Sequence, residues 1–361
     1  FCLLQAGRAV LSQHIGDLED AVTYGEYHHS LELYRGLFDH QPACIVVDQH
    51  PQYLSTRLGQ EHARASGLPL QKVQHHHAHI ASCLAEHGLP LDTRPVLGIV
   101  LDGLGFGGDD TFWGGEFLLA DYAGFRRLAR FQPVHMLGGS QAMREPWRNT
   151  LAHLLLNFGW ESIRERYPDL DIVRFLETRP LEGFQTMAEK GLNSPLASSC
   201  GRLFDAVAAA IGLCRERVSH EGQAAIELES LATGEFHRQA SHGYPLDLEE
   251  GDIRTLGWRR LWEALLEDLH QGVAAAVIAA RFHQGLVQAV TESARVLCDE
   301  HGIDTAVLGG GVFQNRLLLE GVSSSLRQSD IRVLSPEKVP ANDGGLALGQ
   351  VAVAAARLIR A

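Results

Sequence analysis

The sequence lacks a long apolar run and a surplus of positive charge. No stretch of its 361 residues approaches the roughly 20 consecutive apolar residues that span a bilayer, so we expect a soluble protein with no membrane partner. Its 31 Lys and Arg against 44 Asp and Glu give a formal charge of -13. This balance disfavours nucleic acid as a partner, because phosphate binding draws on excess basic side chains.

Closely paired cysteines are also missing. The six cysteines include no CxxC pair, which argues against a zinc ribbon and against a dense disulfide scaffold, so a reducing cytoplasmic location is expected. The first ten residues are interrupted by Gln5, Gly7 and Arg8 and are a poor match to a signal peptide. Because the sequence starts at Phe1, we expect it to be part of a longer protein.

Two common enzyme motifs are absent. The run His220-Glu-Gly-Gln-Ala224 lacks the second histidine of the HExxH helix of zinc proteases. The run from Gly309 to Asn315 has neither the Lys-Ser/Thr pair of a P-loop nor the GxGxxG spacing of a dinucleotide fold. Peptidase chemistry and the two usual nucleotide folds therefore lose support.

The order of apolar runs predicts an α/β fold in two lobes with a ligand cleft between them. Residues 1–94 form the first lobe and residues 95–361 the second, with a mostly helical insertion at about 141–251 and a last helix that returns to the cleft. The runs on which this rests are strands at Ala43–Asp48, Leu70–Gln74, Val96–Asp102, Thr305–Leu308 and Ile331–Leu334 and helices at Tyr27–Phe38, His75–His87 and Gly344–Ile359.

Four histidines within His75–His79 are the strongest chemical signal. His75 and His79 lie one helical turn apart on the same face, so two imidazole nitrogens can bind one metal ion. The alternative is a purely structural role, although each buried ring would then need polar partners. His76 and His77 point elsewhere and are candidates to orient the substrate or to act as a base.

Two glycine turns follow apolar strands. In the first, Asp102-Gly103-Leu-Gly105, the glycines let backbone N–H groups approach phosphate, and the carboxylate can hold a metal or its water. In the second, Gly309-Gly310-Gly311 precedes a helix start, and Asn315 could read an adenine edge. The alternative for both is an ordinary tight turn.

Three further groups complete the candidate set. Asp343 starts the last helix and is either a metal ligand or an N-cap. Asp205 and Glu221 are candidates for ribose hydroxyls or plain helix-surface carboxylates. Arg144 and Arg148 flank an aromatic residue and could bind a small anion, or form a surface ion pair.

Six motifs in this order resemble the C-terminal part of the HypF-type hydrogenase maturation carbamoyltransferases, and the resemblance runs over essentially the whole chain. They are VQHHHAH at 73–79, DGLGFG at 102–107, SSCGRLFDA at 198–206, EGQAA at 221–225, GGGVFQN at 309–315 and NDGGLALGQ at 342–350.

The resemblance implies two ribonuclease-H-like lobes of the sugar kinase, heat-shock protein and actin superfamily. It implies one divalent metal, zinc or iron, on His75, His79 and Asp343, with ATP or carbamoyl-adenylate/AMP in the cleft and magnesium as an option on the nucleotide. The nucleotide residues that it implies are Asp102, Gly103, Gly105, Asp205, Glu221, Gly309, Gly310, Gly311 and Asn315.

The implied reaction is carbamoyl transfer to the C-terminal cysteine thiol of a HypE-like maturation protein. Full-length members of this family resemble a series of modules, with acylphosphatase-like, zinc-finger and adenylate-forming domains that have no motif in this sequence. We therefore expect the transfer step alone. The alternatives are a transferase acting on tRNA or a hydroxyl group, and a nucleotide-driven conformational switch.

Overall fold

The computed structural model describes residues 1–109 and 111–360. Asp110, the last residue of a glycine-rich run that begins at Asp102, and Ala361 lie outside the described residues. Among the described helices, none combines the length and the apolar character needed to cross a membrane.

Residues 1–94, which were predicted to form the first lobe, contain two separate strand pairs and three helices. A turn at Gly7, with φ of 76°, joins β1 and β2. The first helix begins earlier than the predicted Tyr27, because the Asp20 side chain accepts a hydrogen bond from the Thr23 amide and caps it. The elements are β1 (Cys2–Gln5), β2 (Arg8–Leu11), α1 (Ala21–Leu37), β3 (Ile45–Asp48), α2 (Leu54–Ser66), β4 (Leu70–Val73) and α3 (His75–Glu86).

The second lobe contains one large sheet flanked by helices. Its first elements are β5 (Val96–Phe106), β6 (Phe112–Ala120), β7 (Phe125–Phe131), β8 (Val134–His135), α4 (Gln141–Arg144), α5 (Trp147–Asn157), α6 (Trp160–Arg166), α7 (Asp171–Glu177), α8 (Leu181–Lys190), β9 (Leu196–Ala197), α9 (Cys200–Ala210) and α10 (Gln223–Ala232). Its later elements are β10 (Asp247–Glu249), β11 (Arg254–Gly257), α11 (Arg259–His270), α12 (Ala275–His301), β12 (Thr305–Gly309), α13 (Arg316–Gln328), β13 (Arg332–Leu334) and α14 (Leu346–Arg360). Short 3-10 turns lie at Phe236–Gln239, Gly311–Gln314 and Asp343–Gly345.

The large sheet runs in the order β10-β11-β7-β6-β5-β12-β13, with β9 attached to β6 and β8 to β9. Strands β5, β6 and β7 form an antiparallel meander, and β12 and β13 add to β5 in parallel. This arrangement, with helices packed on the sheet, confirms the predicted ribonuclease-H-like α/β class. Because β5 and β12 are parallel neighbours, their carboxyl ends lie side by side at the same edge of the sheet.

The strands predicted from apolar runs frame the site, and further elements follow the predicted insertion at about 141–251. Helices α4 to α10 fill the predicted helical stretch. Strand β11 then rejoins the sheet beside β7, and two long helices, α11 and α12, precede β12. The lobes meet where α3 packs on α14, and a Cβ atom on Gly349 would lie 1.8 Å from the carbonyl oxygen of Ala78. This contact holds the histidine helix against the last helix.

Candidate metal and nucleotide site

Two imidazole rings of α3 converge on a pair of carboxylates. The helix begins at His75 because the Gln74 side chain caps it by accepting the His77 amide. The Nε2 atom of His75 lies 3.3 Å from Asp102 Oδ2 and 3.5 Å from Asp343 Oδ1. For His79 Nε2 the same distances are 3.2 and 3.7 Å. Four potential ligand atoms thus face one another.

A β-bulge presents Asp102 to this cluster. The pairing of β5 with β6 shifts between Leu101 and Gly105, directly after the residue that ends the apolar run. The Asp102 Oδ1 atom accepts hydrogen bonds from the Gly103 and Gly311 amides at 2.8 and 3.0 Å. Its other oxygen is thereby directed at the two rings. The sequence offered Asp102 as a holder of a metal or its water and, by resemblance, as a nucleotide residue, and the geometry groups it with the metal candidates.

The donor set fits a divalent metal ion. The four ligand atoms of His75, His79, Asp102 and Asp343 lie within 4.8 Å of one another. Tetrahedral coordination at about 2.05 Å separates neighbouring ligands by about 3.3 Å, close to the spacings found. His75 Nε2 is buried and faces the carboxylates of Asp102 and Asp343, as expected of a metal-binding nitrogen.

The pKa values of His75 and Asp102 are shifted by burial and by their neighbours in the cluster. Burial alone would lower the pKa of His75, but the charge of Asp343 and hydrogen bonds to Asp102, Asp343 and Asp48 raise that pKa well above its usual value. Burial would raise the pKa of Asp102, but hydrogen bonds from His75 and His79 hold it well below its usual value. Asp102 is therefore a carboxylate at neutral pH.

Asp48 is a site residue that the sequence reading missed. It ends β3, and its Oδ2 atom accepts a 3.0 Å hydrogen bond from Nδ1 of His75. The Oδ1 atom accepts the His50 amide at 2.7 Å, which fixes the carboxylate. A carboxylate on the far nitrogen orients a metal-binding imidazole and increases its basicity. The available signal was the same as for Asp102, an acidic residue directly after a buried apolar strand.

The second glycine turn lies directly against this cluster. Gly310 has φ of 92°, and a Cβ atom there would lie 2.3 Å from the Leu101 carbonyl oxygen, so only glycine fits. A Cβ atom on Gly309 would lie 3.2 Å from Cβ of His79. The Gly311 amide is bound to Asp102, as described above. The two glycine turns and the histidine helix thus meet at one place.

The acidic pair predicted for ribose lies near the first turn. A Cβ atom on Gly103 would lie 3.6 Å from Glu221 Oε1. Asp205 is buried on α9 beside Arg202, with 3.1 Å between the charged groups. Burial raises the pKa of Asp205 to about 6, with Arg202 opposing the shift and Glu221 adding to it. The structure therefore places Glu221 beside the Gly103 turn and Asp205 close enough to Glu221 for their charges to interact.

The side chain of Asn315 forms hydrogen bonds within the protein. Its Oδ1 atom accepts the Leu318 amide at 3.0 Å and caps α13, and its side-chain amide lies 3.0 Å from Nε2 of His283. His283 hydrogen-bonds the Ala279 carbonyl through Nδ1, so its Nε2 is the acceptor for Asn315. Both polar groups of Asn315 are thus used internally, and these contacts give no support to its predicted reading of adenine.

The remaining two histidines have different surroundings. Gln74 donates its side-chain amide to Nδ1 of His76 at 3.0 Å, so Nε2 of His76 carries the proton, and it is buried without a partner. Gly105 leaves room for this ring, since a Cβ atom there would lie 2.5 Å from Cε1 of His76. His77 Nε2 contacts the Asp121 carbonyl at 2.6 Å, and burial lowers the pKa of His77 to about 4. His76 thus borders the metal cluster, and His77 does not join it.

The two arginines proposed for anion binding are not brought to the cluster by any contact in the described part of the chain. Arg148 donates to Glu145 at 2.5 Å and to the Leu137 carbonyl at 3.3 Å, and it lies over the Trp147 ring. Arg144 is exposed at the end of α4. Arg148 therefore corresponds to the ion-pair alternative.

A buried ion pair supports the first glycine turn. Glu116 on β6 is fully buried and accepts a 2.6 Å hydrogen bond from Nε of Arg127 on β7. Arg127 also lies 3.9 Å from the centre of the Trp113 ring and donates to Asp109, which follows the glycine run, at 3.2 Å. Burial raises the pKa of Glu116, and Arg127 opposes the shift. No motif in the sequence signalled this pair.

The chain was compared with known families and proteins. Residues 98–350 match the family described as "Carbamoyltransferase, Kae1-like Domain, second subdomain", and residues 1–86 match the "HypF Kae1-like domain". Carbamoyltransferase HypF of Rhodobacter capsulatus is 42% identical over 99% of this chain and 45% of that protein. A carbamoyltransferase HypF homolog of Cupriavidus necator is 37% identical over 98% of this chain and 88% of that protein.

A solved structure agrees with these matches. The crystal structure of full-length HypF in the phosphate- and nucleotide-bound form superposes with a TM-score of 0.88 at 35% identity, and it covers 100% of this chain and 45% of that chain. The present chain thus spans somewhat less than half of several full-length relatives. With family matches over both lobes and relatives above 30% identity across nearly the whole chain, it belongs to the HypF family, in the Kae1-like carbamoyltransferase domain.

Proposed function

We propose that this chain performs carbamoyl transfer from carbamoyl-adenylate to a thiol. The observation that carries the proposal is the convergence of His75, His79, Asp102 and Asp343 beside two glycine turns. The phosphate- and nucleotide-bound form of the full-length relative supports a nucleotide as one ligand. We propose residues 1–94 and 95–361 as the two lobes, with the substrate between them.

In this proposal the adenosine is held by the second lobe and the mixed anhydride lies at the histidine cluster. Backbone amides at the Gly309–Gly311 turn and the Gly103 turn approach the phosphate. Asp205 and Glu221 remain the proposed contacts for the ribose. A divalent zinc or iron ion in the cluster would supply Lewis acidity, neutralising phosphate charge and polarising the carbamoyl oxygen.

The transfer itself needs few further groups. The thiolate sulfur attacks the carbamoyl carbon, the bond from that carbon to the phosphate oxygen breaks, and AMP leaves with the electron pair. His76 is held as the Nε2–H tautomer by Gln74, and burial and the charge of His75 lower its pKa well below the usual value. We therefore assign His76 as a neutral hydrogen-bond donor to the carbamoyl group rather than a base.

We propose the C-terminal cysteine of a HypE-like maturation protein as the acceptor and the other modules of a longer HypF chain as the source of carbamoyl-adenylate. A cytoplasmic setting suits this chemistry, and all six cysteines of the chain are free thiols. The formal charge of -13 disfavours tRNA as the acceptor.

The test supplies carbamoyl-adenylate and the acceptor protein to the wild type, His79→Ala and the control His29→Ala, whose ring is exposed on α1. Loss of a Lewis-acid site worth several kcal/mol should slow S-carbamoylation by His79→Ala at least about 100-fold, with His29→Ala unchanged. Equal rates for all three would remove the metal role. ATP binding by metal-free protein without any transfer would instead favour the conformational switch.

A further inference from the structure

Helix α3 carries two more polar side chains on its metal-binding face. His75, His79, Ser82 and Glu86 are spaced by four, three and four residues, which aligns them along one side of the helix. The two histidines face the cluster, and the two later residues contact the segment 335–345. That segment is the one that delivers the fourth potential ligand.

Glu86 holds the backbone of this segment. Its side chain is only 3% exposed. One carboxylate oxygen accepts the Glu337 amide at 2.7 Å, and the other accepts the amides of Lys338 at 3.2 Å and Val339 at 2.8 Å. Three charge-assisted hydrogen bonds from consecutive residues leave the segment little freedom at this point.

Ser82 holds the same segment on its other side. Its hydroxyl donates a buried 2.9 Å hydrogen bond to the Gly345 carbonyl. At the entry of the segment, Nε2 of His87 donates to the Ser335 carbonyl at 2.9 Å. The two main contacts therefore bracket Asp343, with Val339 four residues before it and Gly345 two residues after it.

Asp343 itself is weakly fixed by its own packing. Its side chain is 64% exposed, and its carboxylate oxygen faces the ring nitrogens of His75 and His79 at 3.5 and 3.7 Å. The location of the carboxylate therefore depends on the backbone that carries it. That backbone is attached to the same helix as the histidines.

We infer that Glu86 is a positioning residue for metal binding: by holding the amides of residues 337–339 against α3, it sets the place of Asp343 relative to His75 and His79. This inference rests on the metal site of the proposed function. Glu86 follows His79 by seven residues, about 10 Å along a helix, so it acts through the segment and does not ligate the same ion.

A second metal ion on Cys83, Glu86 and His87 is the competing explanation, since their ligand atoms lie within 4.8 Å of one another. The Glu86 carboxylate, however, is already occupied by three amides. Burial also raises the pKa of the Cys83 thiol, which disfavours the thiolate that a metal requires. Anchoring of the segment accounts for these contacts without an ion.

The test measures zinc affinity of the metal-free chain by competition with a chromophoric chelator. Glu86→Gln should weaken zinc binding about 10–100-fold, the usual effect of losing a residue that orients a ligand. In an Asp343→Asn background the same change should alter affinity by less than about twofold, because the ligand that it positions is gone. Glu61→Gln, an exposed residue on α2, is the matched control and should bind zinc like the wild type.

Hydrogen exchange supplies a second readout, with faster exchange of the 337–339 amides expected in Glu86→Gln. If that variant does not fold, Ser82→Ala removes the contact on the other side of Asp343. It should weaken zinc binding when Asp343 is present and leave it nearly unchanged in the Asp343→Asn background. Unchanged affinity, an equal loss in both backgrounds or two zinc ions per wild-type chain would overturn the inference. A wild type that binds no zinc would overturn the metal site and this inference together, whereas normal wild-type binding with an unaffected Glu86→Gln overturns only the positioning role.

Discussion

Residues 1–72 and the rest of the described chain bury their apolar side chains to very different degrees. In the described part of the chain, residues 1–72 supply no buried member of the two main core clusters, which begin with Val73 and Leu97. Helix α1 has a single buried residue, Ser30, and exposes Val22 and Leu37 by more than 70%. In α3, by contrast, every residue from position 75 to 84 is buried.

The strands differ in the same way. The second lobe has a continuous sheet in which β5 is paired on both edges, whereas β1-β2 and β3-β4 form two separate pairs along the described residues. The difference indicates that the second lobe and α3 form the rigid support of the site. The rest of the first lobe should tolerate change, and three predictions probe that contrast.

The largest difference in lost stability between the two regions should come from breaking one ion pair in each. Glu116→Gln leaves the Arg127 guanidinium buried without its main carboxylate, so unfolding free energy should fall by about 3–5 kcal/mol. Glu32→Gln removes an exposed i,i+3 pair with Arg35 on α1 and should cost at most about 0.5 kcal/mol. Urea unfolding of both variants measures the difference. Similar losses of unfolding free energy in both variants would contradict the contrast between the two regions.

Replacing two glycines by alanine should change the stability of the protein in opposite directions. Gly349→Ala forces a methyl group into the contact of α14 with Ala78 on α3 and should destabilise the protein by about 1–3 kcal/mol. Gly25→Ala in α1 meets no atom within 4 Å and should stabilise it by up to about 1 kcal/mol through helix propensity. Thermal unfolding midpoints that shift in the same direction would contradict the contrast.

Acid sensitivity should also concentrate in the second lobe and α3. Burial lowers the pKa of His153 from 6.5 to about 3, so the unfolded chain takes up a proton below pH 6.5 that the folded chain does not. The stability that this residue contributes is therefore complete above pH 6.5 and is lost as pH falls toward 3.

His153→Gln should consequently lose about 2 kcal/mol less stability than the wild type between pH 7.5 and pH 5. His29→Gln, at an exposed position of α1, is the control and should follow the wild-type profile. Urea midpoints at the two pH values provide the measurement, and parallel profiles for wild type and His153→Gln would refute the assignment.

Local sequence patterns were sufficient where a residue's neighbours in the chain decide its surroundings. The HxxxH spacing placed two imidazoles on one helical face, and apolar runs located β3, β4, β5 and β12. Asp48 shares with Asp102 its place after an apolar strand, but nothing local tells that the end of β3 lies next to the histidine helix. The roles of Glu116 and Arg127 likewise arise only when β6 pairs with β7.

The bulge in β5 is another feature that local sequence could not predict. The apolar run Val96–Asp102 predicts a strand, but the register shift that turns Asp102 out of the sheet depends on its partner β6. The glycine turn by itself therefore left open whether Asp102 serves the metal or the nucleotide. Glu86 could not be connected with Asp343 from the sequence, because the residues that it binds lie some 250 positions later.

The separation of His79 and Asp343 along the chain, 264 positions (343 minus 79), has a consequence for stability. An ion held by both residues would act as a crosslink between distant parts of the polypeptide that the unfolded chain cannot reproduce. Free metal at 100 times its dissociation constant would then stabilise the native state by about 2.7 kcal/mol. Resistance to heat should accordingly rise with metal concentration.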